Sequence, residues 1–130
     1  MRLWKVDTKI RIIMGEKLFG IEFLEVIEDI NQQIEMVLLT RKGEKVLDPQ
    51  YGCGIWDYLD EGITIPPLLI GTIHKDVSRN VPSIRVTDVK LAQVGEDGSF
   101  VDIKLEYEVK SSGLRGFYEG RVYRPSGDME

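Results

Sequence analysis

The chain carries one cysteine, one histidine and five prolines in 130 residues. A single cysteine, Cys53, excludes an internal disulfide and agrees with folding in a reducing cytoplasm. A single histidine, His74, leaves no His/Cys spacing for zinc, and no acidic loop of the calcium-binding type is present. No apolar run approaches the roughly 18 residues of a membrane-spanning helix. The first residues, Met1 to Asp7, lack the apolar stretch of a secretion signal. The expectation is a soluble product that stays in the cell that makes it, at least until assembly or lysis. Basic residues are outnumbered, 17 Lys and Arg against 22 Asp and Glu, for a net charge of −5. That balance argues against a protein held by duplex phosphates, while docking on a basic protein surface stays open.

What the chain does have is the make-up of one globular domain: 42% hydrophobic and 30% charged residues, enough to bury a single core at this length. One domain over residues 1–130 is expected, with an N-terminal arm (1–20) and a C-terminal tail (125–130) that frays. Residues 8–13 read as a short strand and Met14–Lys17 as a turn. After Gly20, Phe23, Val26, Ile27, Ile30, Ile34, Val37 and Leu38 recur at steps of three and four, an apolar stripe about 120° wide on a helix. Glu25, Glu28, Asp29, Gln32 and Glu35 lie opposite. Acids in the first half and Arg41-Lys42 beyond the end match the helix macrodipole, and Gly43 is expected to close the helix in the left-handed conformation. A Gly- and aromatic-rich stretch, residues 46–64, is expected to fold back on the core through Tyr51, Trp56 and Tyr58. Ile55–Leu59 reads as one helical turn.

A second long helix is expected from Pro66 or Pro67, with Thr64 as its cap, Leu69, Ile70, Ile73 and Val77 as its apolar face, and Asn80-Val81-Pro82 as its end. The period then drops to two. Residues 84–94 read as a strand whose alternation slips between Val86 and Val89, the mark of a bulge. Residues 100–110 alternate cleanly, with Val101, Ile103, Leu105, Tyr107 and Val109 on one face, and residues 117–124 read as a third strand. The expected fold class is α+β: two helices packed on one face of a small antiparallel sheet.

Candidate chemistry is sparse. His74 borders the apolar face of its helix without acid/base partners in view. Cys53 sits between glycines, away from the signals that lower a thiol pKa. Asp57, Asp60 and Glu61 beside Trp56 and Tyr58 form the one aromatic-acidic cluster. Glycoside hydrolysis needs two carboxyls at close spacing, one of them in an apolar pocket, and with so many acids such proximity arises by chance. Gly52-Cys53-Gly54 lacks the Gly-Lys-Ser/Thr of a phosphate loop. Arg41, Lys42 and Lys45 make a small basic knot that composition alone assigns to a helix end. No catalytic residue, cofactor or metal is expected.

The order of parts is more specific than any part: a helix, Leu39-Thr40-x-x-Gly43-Glu44-Lys45, Pro49-x-Tyr51-Gly52, a helix, a proline-containing break and a β-hairpin. This order resembles the baseplate wedge and sheath-initiator proteins of contractile phage tails, a family called lysozyme-like although its members are assembly parts, and related to a baseplate component of type VI secretion systems. The family pattern of Thr, two residues and Gly-Glu-Arg stands here with Lys45 in place of the arginine. Its Glu-Pro-Arg before the hairpin stands here as Val81-Pro82-Ser83-Ile84-Arg85, with the proline kept, the acid missing and the arginine displaced.

The resemblance implies a non-enzymatic subunit of a tail baseplate, assembled in the host cytoplasm (or cytoplasmic, in a cell-encoded injection machine). Present in several copies of a symmetric assembly, it would meet wedge and sheath subunits, with tube or hub as further candidate partners and neither nucleic acid nor membrane, and template the sheath by strand pairing. The residues carried over as partner-binding are Arg41, Gly43, Glu44, Lys45, Tyr51, Gly52, Pro82 and Arg85. The alternatives are a small peptidoglycan-hydrolysing enzyme and an unrelated protein-binding module.

Overall fold

A computed structural model describes residues 20–125, with 20–23 as backbone alone. The expected strand at 8–13, the turn after it, Phe23 as a stripe residue and the tail beyond Pro125 lie outside the described side chains. Among the described residues, three helices, α1 (Gly20–Leu39), α2 (Ile55–Asp60) and α3 (Pro66–Asn80), precede three strands, β1 (Ile84–Val94), β2 (Phe100–Val109) and β3 (Arg115–Tyr123). The strands form one antiparallel sheet in the order β1-β2-β3. The α+β class expected from the change of period is what the chain adopts, with the single turn at Ile55 as a short third helix.

The chain divides into two compact units, residues 1–32 and 33–130. In the first, Ile27, Ile30 and Asn31 are buried, whereas Val26, expected on the apolar stripe, is exposed. In the second, α1 contributes Ile34, Val37 and Leu38 to the buried set.

Helix α3 begins at Pro66 as expected, because a first-turn proline gives up an N–H that has no helical partner. Thr64 is not its cap. Ile65 holds that position in an extended conformation and makes no side-chain capping bond. Leu69, Ile73 and Val77 face inward, and α3 packs on β1. Val81 ends the helix, its N–H bonding the Val77 carbonyl, ahead of Pro82.

The inner face of β2 is the predicted one: Val101, Ile103, Leu105, Tyr107 and Val109 are buried. Tyr118 and Val122 of β3 and Ile84, Val86 and Val89 of β1 extend that layer. Burying one such aliphatic side chain stabilises by about 1.5–3 kcal/mol, so the sheet register is fixed by its inner face.

The two outer strands differ. The β1–β2 register slips twice, between Val86 and Asp88 and between Leu91 and Gln93. The second slip, which Leu91 and Val94 mark by the same three-residue step, was not read from the sequence. The β2–β3 register is unbroken from Phe100↔Tyr123 to Glu108↔Arg115. The Val109 N–H bonds the Leu114 carbonyl at 2.7 Å and the Arg124 N–H bonds the Ser99 carbonyl at 2.7 Å. Antiparallel ladders alternate, so the even-numbered residues of β3 turn their main-chain groups to β2. Arg115, Phe117, Glu119, Arg121 and Tyr123 turn theirs away. β3 begins at Arg115, two residues earlier than its alternation implied.

Candidate functional site

The last turn of α1 ends on carbonyls that no further helical N–H can reach. Gly43 was expected to resolve this as the closing residue, but the helix stops at Leu39 and Gly43 lies beyond it. The segment that follows returns and supplies the donors. The Thr40 hydroxyl donates to the Met36 carbonyl at 2.7 Å and the Thr40 N–H to Val37 at 3.3 Å. The indole N–H of Trp56, fully buried, donates to the Leu38 carbonyl at 2.7 Å. The Cys53 N–H donates to the Thr40 carbonyl at 2.9 Å, and Arg41 and Cys53 pair as an isolated parallel bridge. The result is a clasp: residues 41–52 leave the helix end and return to it.

Gly52 makes the return possible. Its φ is +115°, and a Cβ there would stand 2.5 Å from the Thr40 carbonyl oxygen. Only a residue without a side chain passes so close to that carbonyl. Gly43, at φ +92°, turns the outgoing limb, and its N–H bonds the Pro49 carbonyl at 2.9 Å across the loop.

The basic knot expected at the helix end does different work. No basic residue lies in the last turn of α1. Arg41 forms a two-pronged pair with Asp60 of α2, at 2.7 and 3.3 Å, and stands 3.7 Å from Asp57. Arg124, just past β3, reaches the same Asp60 carboxylate at 3.2 Å and also donates to the Asp97 and Gly98 carbonyls of the β1–β2 turn. Lys42 points inward, its ammonium 2.9 Å from Oδ1 of Asp76, a fully buried residue of α3. The other oxygen of Asp76 accepts the Gly54 N–H at 2.8 Å. Lys45 stands over the Tyr51 ring at 4.3 Å, a cation–π contact. The Arg41 N–H also donates to Glu44 at 3.3 Å.

Of the partner-binding residues carried over from the resemblance, Arg41, Gly43, Glu44, Lys45, Tyr51 and Gly52 are gathered in this clasp. Pro82 and Arg85 are not. Both are exposed at the start of β1, where Arg85 pairs with Glu108 at 3.3 Å. Asp76 is the residue the sequence reading missed. Its signal was present: seven residues after Leu69 and three after Ile73, it occupies the buried face of α3, where an acid requires a partner.

Pairing and burial shift two titratable groups of this cluster. The hydrogen bond from Arg41, reinforced by the charges of Arg41 and Arg124, holds the Asp60 carboxyl below its ordinary range. That is the opposite of the raised value a general acid needs. A depressed folded value adds stability that is present above the unfolded pKa and lost as pH falls through the folded one. Replacing Asp60 by Asn is therefore expected to flatten the acid limb of the stability curve below about pH 4. The effect is expected to be about 1 kcal/mol or less, since the pair is partly solvated. Urea melts from pH 2.5 to pH 6 read it.

Burial pushes the Cys53 thiol up to about 12. At about pH 8 its thiolate fraction is then roughly a thousandfold below that of an ordinary thiol. A disulfide reagent should label the native protein at least that much more slowly than the denatured chain. Labelling at similar rates would contradict the burial. Among the described residues, no group of three His, Cys, Asp or Glu side chains could hold a metal ion, and no helix is long and apolar enough to cross a membrane.

A sequence profile of the family described as baseplate wedge protein gp25 matches residues 25–113. That span holds the whole clasp with Asp60 and Asp76, but not Arg124. Among solved structures, the chain is similar to a crystal structure from Geobacter sulfurreducens described as a tail lysozyme, with 28% identity and a TM-score of 0.56. The match covers 76% of this chain and 91% of that one. No curated protein sequence matches.

Proposed function

The chain belongs to the baseplate wedge protein gp25 family and so has a structural role in a phage-tail baseplate, and we propose that it joins wedge subunits to the first sheath ring and templates sheath assembly by β-strand pairing. The observation that carries this reading is the contrast between the two strands that flank β2. Two bulges interrupt β1, a device that discourages added strands. β3 runs regularly along β2, and Arg115, Arg121 and Tyr123 turn their main-chain groups away from it, the geometry that strand addition uses. A strand laid there fixes register, because a one-residue slip turns over every side chain of the incoming strand. The clasp is then the element held by wedge subunits, with Pro82 and Arg85 as a separate contact.

The test compares two substitutions at one position. Arg121→Ala and Arg121→Pro both lose the bidentate pair with Asp102 (2.8 and 3.0 Å). Only proline also removes the outward N–H and sets a ring against the incoming strand, and an edge strand tolerates it. On baseplates lacking this protein, the alanine variant should restore sheath assembly and the folded proline variant should not. Equal restoration by both would sink the strand-pairing reading.

The description of the Geobacter sulfurreducens structure raises a second reading, a peptidoglycan hydrolase. Asp60, clamped by Arg41 and Arg124, speaks against it. We expect no turnover of purified peptidoglycan. Turnover abolished by Asp57→Asn or Asp60→Asn would replace the structural reading with an enzymatic one.

A further inference from the structure

Arg124, the first residue past β3, engages every nitrogen of its guanidinium within the fold. Nε donates to the Gly98 carbonyl at 3.1 Å and Nη2 to the Asp97 carbonyl at 2.6 Å, which fastens the β1–β2 turn to the end of β3. Nη1 stands 3.2 Å from Oδ1 of Asp60. The same carboxylate takes both prongs of Arg41, at 2.7 and 3.3 Å. Two arginines from distant parts of the chain thus share one carboxylate. Arg41 comes from the clasp, Arg124 from the end of β3, outside the span that the family profile matches.

The sharing favours cooperation between them. Two guanidinium groups repel each other unless an anion lies between, and Asp57, 3.7 Å from Arg41, brings the cluster to two acids and two bases. Holding the Asp60 side chain costs rotamer freedom once, so the second arginine meets a carboxylate already fixed. Isolated surface pairs contribute little, whereas bidentate pairs within a network contribute more. The short helix α2 joins the two ends. At its start the Trp56 indole caps the Leu38 carbonyl. At its end Leu59 lies so close to the β1–β2 turn that a Cβ on Gly98 would stand 3.2 Å from its own Cβ. Ile55, Trp56 and Leu59 are buried, which ties the six-residue helix to the core along its length.

We propose that Asp60 is a shared latch that couples the end of β3 to the clasp, so that holding one steadies the other. Its use in assembly rests on the baseplate reading. A strand laid against Arg121 and Tyr123 steadies Arg124, the next residue in the chain, and through Asp60 the clasp that wedge subunits hold. Such coupling is reciprocal, so a clasp held by the wedge steadies the end of β3 for the sheath.

The experiment is native-state hydrogen exchange on the full-length protein alone. The Gly98 N–H, bonded to the Gly95 carbonyl at 2.9 Å, reports the turn, and the Cys53 N–H, bonded to the Thr40 carbonyl at 2.9 Å, reports the clasp. Rates are scaled to the slowest amides of β2, which separates local opening from global unfolding. Arg124→Met should speed exchange at Gly98 and, by about threefold or more, at Cys53. In an Asp60→Ala background, adding Arg124→Met should still speed Gly98 but leave Cys53 unchanged. If Arg124→Met alone frees Gly98 and not Cys53, the latch is wrong. An equal rise at Cys53 in both backgrounds would route the effect past Asp60 and overturn it too. Neither result touches the baseplate reading, whose failure would appear in sheath assembly with the exchange pattern intact.

Discussion

Gly52→Ala should cost about 4 kcal/mol or more. Two penalties combine. At φ +115° an L-residue is strained, by about 1–3 kcal/mol. The added Cβ would also meet the Thr40 carbonyl oxygen at 2.5 Å, a main-chain atom that cannot swing aside, and forced overpacking costs about 1–3 kcal/mol more. The clash strikes where the Cys53 N–H caps the Thr40 carbonyl, so relief by movement would open the clasp. Gly43→Ala and Gly62→Ala are the controls. Both have positive φ, at +92° and +78°, and open space around the new methyl. Each should cost only about 1–2 kcal/mol. Urea denaturation of the three variants separates strain from collision. A Gly52→Ala cost no greater than that of the controls would mean that the return limb does not pass where it is described.

Asp76→Ala should cost about 3 kcal/mol. It strands two donors at once, the Gly54 N–H and the Lys42 ammonium. Breaking one side of a buried pair costs about 3–5 kcal/mol, and a stranded N–H about 1–3. The lower total reflects Lys42, whose side chain keeps 25% of its exposure and can turn to water. Asp76→Asn keeps an acceptor for Gly54 and should lose about half as much. Lys42→Met leaves a carboxylate buried with one donor and should also destabilise. A double-mutant cycle between positions 42 and 76 should show coupling of about 1–3 kcal/mol. Additive losses would mean that Lys42 and Asp76 act independently and that α3 is not tied to the clasp through this pair.

Gly52 and Asp76 mark where the sequence stopped being readable. Periodicity alone located α1, α3 and the three strands, because each buries one face and the burial repeats at 3.6 or 2 residues. It also exposed the first bulge of β1, since Val86 and Val89 cannot share a face without one. The second slip carries the same mark, since Leu91 and Val94 are three apart yet pair with Ile103 and Val101 of the inner face, but with both only half-buried and the exposed Ala92 between them it was not read.

The clasp was legible as a list of residues but not as geometry. Gly43 was read as the helix terminator because glycine commonly serves there. The helix instead ends on donors from Cys53 and Trp56, and pairing at such separation leaves no local pattern. Arg41 and Lys42 were read by their position near a helix end. Their partners, Asp60 and Asp76, lie 19 and 34 residues away, beyond any local rule. Asp76 could have been found by asking what an acid does on a buried stripe.

The central claim is that this wedge-family protein passes order to the sheath through the outward side of β3. The most direct measurement is a cryo-EM reconstruction of the intact tail that resolves main chain around this subunit. The account predicts a strand from a sheath subunit running along β3, in hydrogen-bonding register with Arg121 and Tyr123. A particle in which no sheath polypeptide lies against that strand would contradict it.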